Sequence, residues 1–451
     1  MKPTLGVDIM FYTIVSDTLT SGKITFSNQP DTFCSITTEK CIQLNAGDRS
    51  LAVDINFENE QKHDVLKISS DVLKALSIPL NLPYQLVFSE KGLRIGPVIG
   101  LLMYNKRSAM TKKSLRRHLH YTLLYKNMGG LIYVFSLEDI NFDTLNIKGH
   151  YYNPLKEKWE KGVFPFPDAI YRRVFKPTKI MQRIQKYFSH RMFNLSNFNK
   201  IDYWNMASSS KSVADHIPMT RKYSSFNDID LMFENFNTLF LKPVNATKAL
   251  GLIRVIKDKG KYSFQGKFDE RPTLLFSKAD AEKHFYKIKN KGTYIIQQAI
   301  DLLNFEDRRV DFRAIMQKDH TMDWQCTGIV TTMGKRGGIC SNHYDDCKCM
   351  CFEEFLEKYL HLSKKRVFQK KNELIDVCKN ACKILDENGL NCIDLGVDIG
   401  FDQNLKPWVF ELNNRHHLHA MPIFINDHDM FFRVKINPIK YMVKLSGFNL
   451  V

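Results

Sequence analysis

Three oxygen-bearing side chains, Asp398, Glu411 and Asn413, stand in a stretch that reads as two strands joined by a turn at Asp402-Gln-Asn-Leu-Lys406. Residues two apart on a strand project from one face, so Glu411 and Asn413 share a face. A hairpin closing near Asn404 carries Asp398 across from them. A small set of hard oxygen donors suits Mg²⁺ shared with phosphate oxygens. The same polarity also fits the wet face of an ordinary hairpin, and the stretch alone leaves both readings open.

A second constellation lies upstream. Lys242 sits near the end of the strand Thr238-Leu-Phe-Leu-Lys-Pro-Val244, just ahead of the turn Asn245-Ala-Thr-Lys-Ala-Leu-Gly251, and the chain returns as Leu252-Ile-Arg-Val-Ile256. Turn amides aimed at oxygens, with an ammonium beside them, make a phosphate cradle. A solvated edge-strand lysine is the other reading. Four cysteines crowd into Cys340–Cys351, but their C-x-C-x-C spacing differs from the paired C-x₂-C of common zinc sites. A Cys-rich loop without metal is the reading carried forward.

The elements that must position these residues change in texture along the chain. Residues 1–95 alternate short β-type runs with turns and predict a small β-rich domain, with one short helix from Ser70. From Gly96 to residue 195, buried-strand runs at Val98–Met103, Gly130–Phe135 and Phe166–Val174 flank a basic helix over Lys113–Asn127. That alternation predicts an α/β domain with a mostly parallel sheet. A third domain, 196–451, is expected to hold a helix at Ile229–Asn237 and strands at Thr238, Leu252, Tyr294 and Arg309. An amphipathic helix over Lys371–Glu387, with Leu374, Val377, Cys378, Ala381, Cys382 and Leu385 on one stripe, then leads into the hairpin.

Composition bounds the function. At 451 residues, 44% hydrophobic and 25% charged, the chain is that of a soluble globular protein with room for two or three domains. No apolar run reaches membrane-spanning length, and the first residues lack the order of a signal peptide, so the reading places the protein in the cytoplasm with its ten cysteines reduced. The net charge of +17, with clusters at Lys106-Arg107, Lys112-Lys113, Arg116-Arg117, Arg172-Arg173 and Lys364-Lys-Arg366, suits a polyanion of some kind. The chain carries no aromatic-basic motif of the sort nucleic-acid binders use, which sets that class aside.

Taken in order, Phe240-Leu-Lys-Pro-Val-Asn245, the turn to Gly251, Ile296-Gln-Gln-Ala-Ile-Asp-Leu302, Val310-Asp-Phe-Arg-Ala-Ile315, Leu395-Gly-Val-Asp-Ile-Gly400 and Val409-Phe-Glu-Leu-Asn413 resemble the ATP-grasp superfamily. Within it the chain looks like the YheC/YheD-type proteins described as endospore-coat-associated. Gly96-Pro-Val-Ile-Gly-Leu-Leu102 and His216-Ile-Pro-Met-Thr-Arg221 add to the likeness, which spans roughly Gly96 to Asn414. The resemblance implies a pre-ATP-grasp α/β domain followed by two α+β subdomains that sandwich ATP. It implies that Lys242 and Lys200 contact phosphates and that Gly251 belongs to the phosphate turn. Gln297, with Gln298 beside it, meets the adenine amino group, and Asp311 the ribose. Asp398, Glu411 and Asn413 match the Mg²⁺ trio. Arg313, Arg415 and Arg336 are the candidates for neutralising charge in the reaction.

The expected activity is therefore ligation of a carboxylate to an amine, such as an amino acid or peptide, through an acyl phosphate, with ATP and Mg²⁺ as cofactors. The alternative is a non-catalytic coat or scaffold protein that keeps the nucleotide fold and binds an acidic protein partner through its basic surface. Two departures bear on the choice. Alanines occupy the phosphate turn where the family commonly has glycines, and alanine resists positive φ. Beyond the metal trio runs Asn414-Arg-His-His-Leu-His419, whose histidines suit substrate contact, a pH response or a polar loop.

Overall fold

The computed structural model describes residues 10–27, 41–58, 64–80, 82–89, 92–174, 180–194, 198–246, 249–267, 269, 271–275, 277–289, 292–341, 347–414 and 419–451. The chain forms two compact units: residues 1–195 with 318–323 and 432–451, and residues 196–317 with 324–431.

The first unit opens with the β-rich region, which is a closed barrel. Its strands neighbour one another in the order Phe11–Asp17, Val65–Ser69, Lys23–Phe26, Arg49–Phe57, Cys41–Ala46, Gly92–Gly96 and Pro83–Ser89. Ile14, Ile24, Phe26, Leu44, Val53, Leu66 and Ile68 are buried, and closure leaves no strand edge unpaired. Parallel pairings between strands far apart in sequence, such as Phe11–Asp17 with Val65–Ser69, make the barrel.

Next comes a mixed sheet. Val98–Tyr104 lies between Leu131–Ser136 and Ala169–Arg172, parallel to both, and Met192–Phe193 follows beyond Ala169–Arg172. The sheet is less parallel than the sequence predicts, because the hairpin Asn146–Asn153/Lys158–Pro165 adds antiparallel strands beside Leu131–Ser136. Its turn is organised by Asn153, whose Oδ1 accepts from the backbone of Leu155 and Lys156. The expected helix Lys113–Asn127 is broken into a helix Lys112–Arg116, a 3₁₀ turn Leu119–Thr122 and a helical turn Tyr125–Met128. Lys112/Arg116 and Lys113/Arg117 set like charges four apart, which weakens a helix. Leu115 and Tyr121 are both buried, yet six residues along one continuous helix would face different ways.

The second unit holds two antiparallel sheets. The first runs Thr220–Lys222, Tyr294–Gln298, Thr238–Pro243, Ile253–Asp258, Lys261–Gly266, Thr273–Leu275. One face (Leu239, Leu241, Ile253, Val255, Phe264, Ile296) packs against Phe226, Ile229, Ala281 and Phe285 of the helices Phe226–Phe233 and Lys278–Ile288. The first of these helices starts earlier than Ile229 because Ser225 and Asp228 form a capping box.

The second sheet runs Lys348–Cys351, Trp324–Met333, Arg308–Lys318, Asp394–Phe401, Pro407–Asn413. Phe312, Ala314, Leu395, Val397, Ile399 and Leu412 bury against the helix Lys364–Glu387. That helix begins before the expected Lys371, where the Ser363 hydroxyl caps it by accepting from Arg366 N. In both sheets helices cover one face, the α+β arrangement, and the other face is free to carry chemistry.

Candidate active site

On the second sheet, Arg313, Asp398 and Glu411 fall in one row across three adjacent strands, Arg313 opposite Asp398 and Asp398 opposite Glu411. The alternation that buries Phe312 and Val397 forces these charged residues to the opposite face. Arg313 Nε donates to Asp398 Oδ1 at 2.5 Å, and Asn413 Nδ2 donates to Asp398 Oδ2 at 3.0 Å. Lys200 Nζ lies 3.2 Å from Glu411 Oε1 and donates to the carbonyl of Ala246 in the phosphate turn at 2.8 Å. Lys200 opens the helix Lys200–Ser208, which Asn199 caps by accepting from Ile201 and Asp202.

A β-bulge interrupts the hairpin. Asp398 pairs with Glu411 and Ile399 with Val409, so Phe410 has no partner of its own. The Phe410 ring lies 5.9 Å from Lys242 Nζ. On the first sheet Thr220, Gln297, Phe240, Arg254 and Gln265 form a cross-strand row, and Lys242 shares the Phe240 face. Lys242 Nζ donates to Gln297 Oε1, and Gln297 Nε2 donates to Thr220 Oγ1 at 2.9 Å. Phe240, Leu252 and Ile339 form a small apolar cluster with Ala249, Ala299 and Cys340 against it.

Electrostatics follow from this crowding. Burial pushes the Lys242 ammonium down to about 8; Glu411 and Asp398 oppose the shift, Lys200 and Arg309 add to it. Burial and then the Asp398 charge push the Asp311 carboxyl up to about 7, against the Ser341 hydroxyl that donates to its Oδ2. Burial works against the Arg313 guanidinium, yet the charge and hydrogen bond of Asp398 outweigh it and hold Arg313 above its ordinary value.

Eight of the residues named from the sequence thus come together: Lys200, Lys242, Gln297, Asp311, Arg313, Asp398, Glu411 and Asn413. Gly251 ends the turn at φ 74°, a left-handed conformation suited to glycine, and Ala249 adopts φ 51° without that freedom. Gln298 is spoken for by the backbone, its Oε1 accepting from Met219 N at 3.2 Å. Arg336 pairs with Glu306 at 3.3 Å and is largely exposed. Arg415, His416 and His417 lie outside the described residues, while His419 is buried with Nε2 2.7 Å from Asp394 Oδ2, a structural tie.

Sequence reasoning missed Arg309, whose guanidinium lies 5.3 Å from the Phe240 ring centroid, and Ser341. It also missed Phe410 and Tyr203, which line the open cavity beside Lys200, Glu411 and Asn413. Strand register brings Arg309 and Phe410 to the site, Tyr203 comes on the helix Lys200–Ser208 and Ser341 lies outside the strands, and none of these placements is visible in a single sequence.

The donor set fits the groups that the sequence implies. Arg313 Nη1 is buried with no hydrogen-bond partner, a donor of the kind that fits a phosphate oxygen. No group of three His, Cys, Asp or Glu side chains among the described residues is arranged to hold a metal unaided. Two carboxylates and an amide instead suit an ion that takes its remaining oxygens from phosphates and water.

The YheC/D-like ATP-grasp family model matches residues 189–445. The chain is 22% identical over 391 residues to the endospore coat-associated protein YheD of Bacillus subtilis (strain 168), covering 82% of this chain and 83% of that protein. It is 22% identical over 288 residues to YheC of the same organism, covering 61% and 78%. Among solved structures, the ATP-grasp ligase PsnB complexed with minimal precursor, Mg and ADP aligns with a TM-score of 0.41 at 11% identity, over 77% of this chain and 97% of that one. D-alanyl-alanine synthetase A from Vibrio cholerae O1 biovar eltor str. N16961 aligns at 0.42 and 10% identity, over the same shares.

Proposed function

Because the chain belongs to the YheC/D-like ATP-grasp family, we propose that it is an ATP- and Mg²⁺-dependent ligase that joins a carboxylate to an amine through an acyl phosphate. The observation that carries this reading is the opposed pair Asp398 and Glu411, each bearing its own cation, with the ammonium of Lys242 beside them. Phosphoryl transfer to a carboxylate brings two anions together, and catalysis consists largely of positioning and neutralising them.

In this reading Asp398, Glu411 and Asn413 hold Mg²⁺, which supplies Lewis-acid charge at the phosphate oxygens. Lys242 and Lys200 bind phosphate oxygens, and Arg313 offers Nη1 to the transferred group. Phe240, Leu252 and Ile339 wall the base, Gln297 accepts from its amino group, and Asp311 takes the ribose hydroxyls in exchange for Ser341. The substrate carboxylate attacks the γ-phosphorus and the bond to the β-phosphate breaks, releasing ADP. The amine then attacks the acyl carbon, loses a proton, and phosphate departs with the bonding electrons. Arg415 and Arg336 remain candidates for steadying that second step.

A screen of amino acids and peptides for stimulated ADP release, with mass spectrometry of the product, tests the proposal. Full ADP release by Glu411→Gln and Lys242→Ala would overturn the site.

A second reading draws on Ala249, whose left-handed conformation makes the phosphate turn stiffer than glycine would. It is a non-catalytic coat-associated scaffold in which the nucleotide fold persists and the basic surface binds an acidic partner. Thermal melting with Mg-ATP separates the two, because only an intact nucleotide site raises the midpoint.

A further inference from the structure

Arg309 is a half-buried cation whose close partner is a ring: its Cζ lies 5.3 Å from the Phe240 centroid. Among the described residues its guanidinium makes no hydrogen bond and no ion pair. The charges around it, Arg254 of like sign and Asp301 and Asp311 of opposite sign, act on it without a bond. Arg254 is held differently. It stands opposite Phe240 in the strand register, and its Nη2 donates to Gln265 Oε1 at 2.5 Å. Arg254 is thus tied to its sheet, whereas the Arg309 side chain can shift without breaking a hydrogen bond.

Position along two strands separates Arg309 from the other cations of the site. Arg309, Asp311 and Arg313 share one face of Arg308–Lys318, each about 6.6 Å from the next. Arg313 holds Asp398 at one end of that row, and Arg309 meets Phe240 at the other. On the facing sheet Phe240 and Lys242 are also two apart, and Lys242 is the one whose ammonium feels Glu411 and Asp398. Both strands therefore run from an end at the Phe240 ring to an end beside the carboxylates. A nucleoside triphosphate carries base, ribose and phosphates in that order, so phosphates beside the carboxylates leave the base at the Phe240 end.

Guanidinium planes stack on aromatic faces, and a nucleobase presents such a face. We propose that Arg309 is the base clamp of this site: its guanidinium stacks on the adenine and holds it against the wall of Phe240, Leu252 and Ile339. The inference rests on the nucleotide reading above and adds to it a cation that serves the base and not the phosphates.

Calorimetric titration of the full chain with Mg-ATP, and competition of that binding by Mg-tripolyphosphate, which has the charge and no base, tests the clamp. Arg309→Met keeps an apolar stem, removes the guanidinium and strands no carboxylate partner, so the fold should survive it. It should weaken Mg-ATP binding by about fivefold or more and leave Mg-tripolyphosphate within about twofold of the wild type. Arg309→Gln is read against the same limits if the methionine variant fails to fold. Unchanged Mg-ATP affinity in the variant, with the wild type binding, overturns the clamp alone. Equal losses for both ligands assign Arg309 to the phosphates and overturn it as well. So does a wild type that Mg-tripolyphosphate does not compete for, because the clamp presupposes a phosphate end that binds on its own. A wild type that binds no Mg-ATP overturns the nucleotide reading, and the clamp with it.

Discussion

Asp398 and Glu411 face each other directly across an antiparallel pair, and each is neutralised by a cation from a different element, Arg313 from the neighbouring strand and Lys200 from a helix start. The two carboxylates therefore differ in what their loss leaves behind. Asp398→Asn strands the Arg313 guanidinium among buried neighbours and should cost about 2–3 kcal/mol of stability. Glu411→Gln leaves Lys200 its bond to Ala246 O and should cost under about 1 kcal/mol. On the proposed function both should lower ADP release by about a hundredfold or more, since each removes a charge assigned there to Mg²⁺. Urea unfolding and an ADP-release assay on the two variants check the split.

Lys242 predicts a pH dependence. Its folded pKa of about 8 lies below its ordinary value, so between those limits the unfolded chain binds the additional proton and stability rises with pH. Below about 8 the residue is charged in both states and this contribution is absent. On the proposed function Mg-ATP affinity moves the other way: with Lys242 as a phosphate ligand, affinity should fall as pH rises through 8 and its ammonium loses its proton. Lys242→Arg keeps its charge and should flatten the affinity profile, measured by calorimetry from pH 7 to 9.

Ala249 occupies a conformation that costs an L-residue about 1 kcal/mol. Ala249→Gly removes that cost but frees the unfolded chain, so the net change in stability should stay within about 0.5 kcal/mol. The turn itself should become more mobile, and amide hydrogen exchange at Leu250–Leu252 should quicken. If ADP release is limited by opening of this turn, its rate rises in the same variant.

Phe312 anchors from behind the strand that presents Asp311 and Arg313. It is buried against the rings of Phe352, Phe355 and Phe401. Phe312→Ala should cost about 3–5 kcal/mol, and Phe312→Leu about 1–2 kcal/mol. In the leucine variant Mg-ATP affinity should weaken although none of the proposed nucleotide contacts is touched.

How far the site could be read beforehand depended on how local its signals were. The hairpin of Asp398 and Glu411 announces itself through period-two alternation and a polar turn, and Lys242 through its place before a turn. The pairing of Arg313 with Asp398 needs the strand neighbours, which lie 85 positions apart in sequence and leave no local trace. The barrel escaped for the same reason, its strands pairing in parallel across long separations. The broken helix after Lys112 escaped because hydrophobic residues there satisfy burial from two directions, while periodicity counts only one.

The bulge at Phe410 has a consequence for how this chain can change over time. Because Phe410 has no partner opposite it, losing that residue would leave Asp398 facing Glu411 and Ile399 facing Val409. An aromatic ring beside Lys242 is thus a removable insert in an otherwise regular hairpin. Lineages that gain or lose it could reshape the mouth of the cavity in one insertion or deletion step while Asp398 keeps facing Glu411.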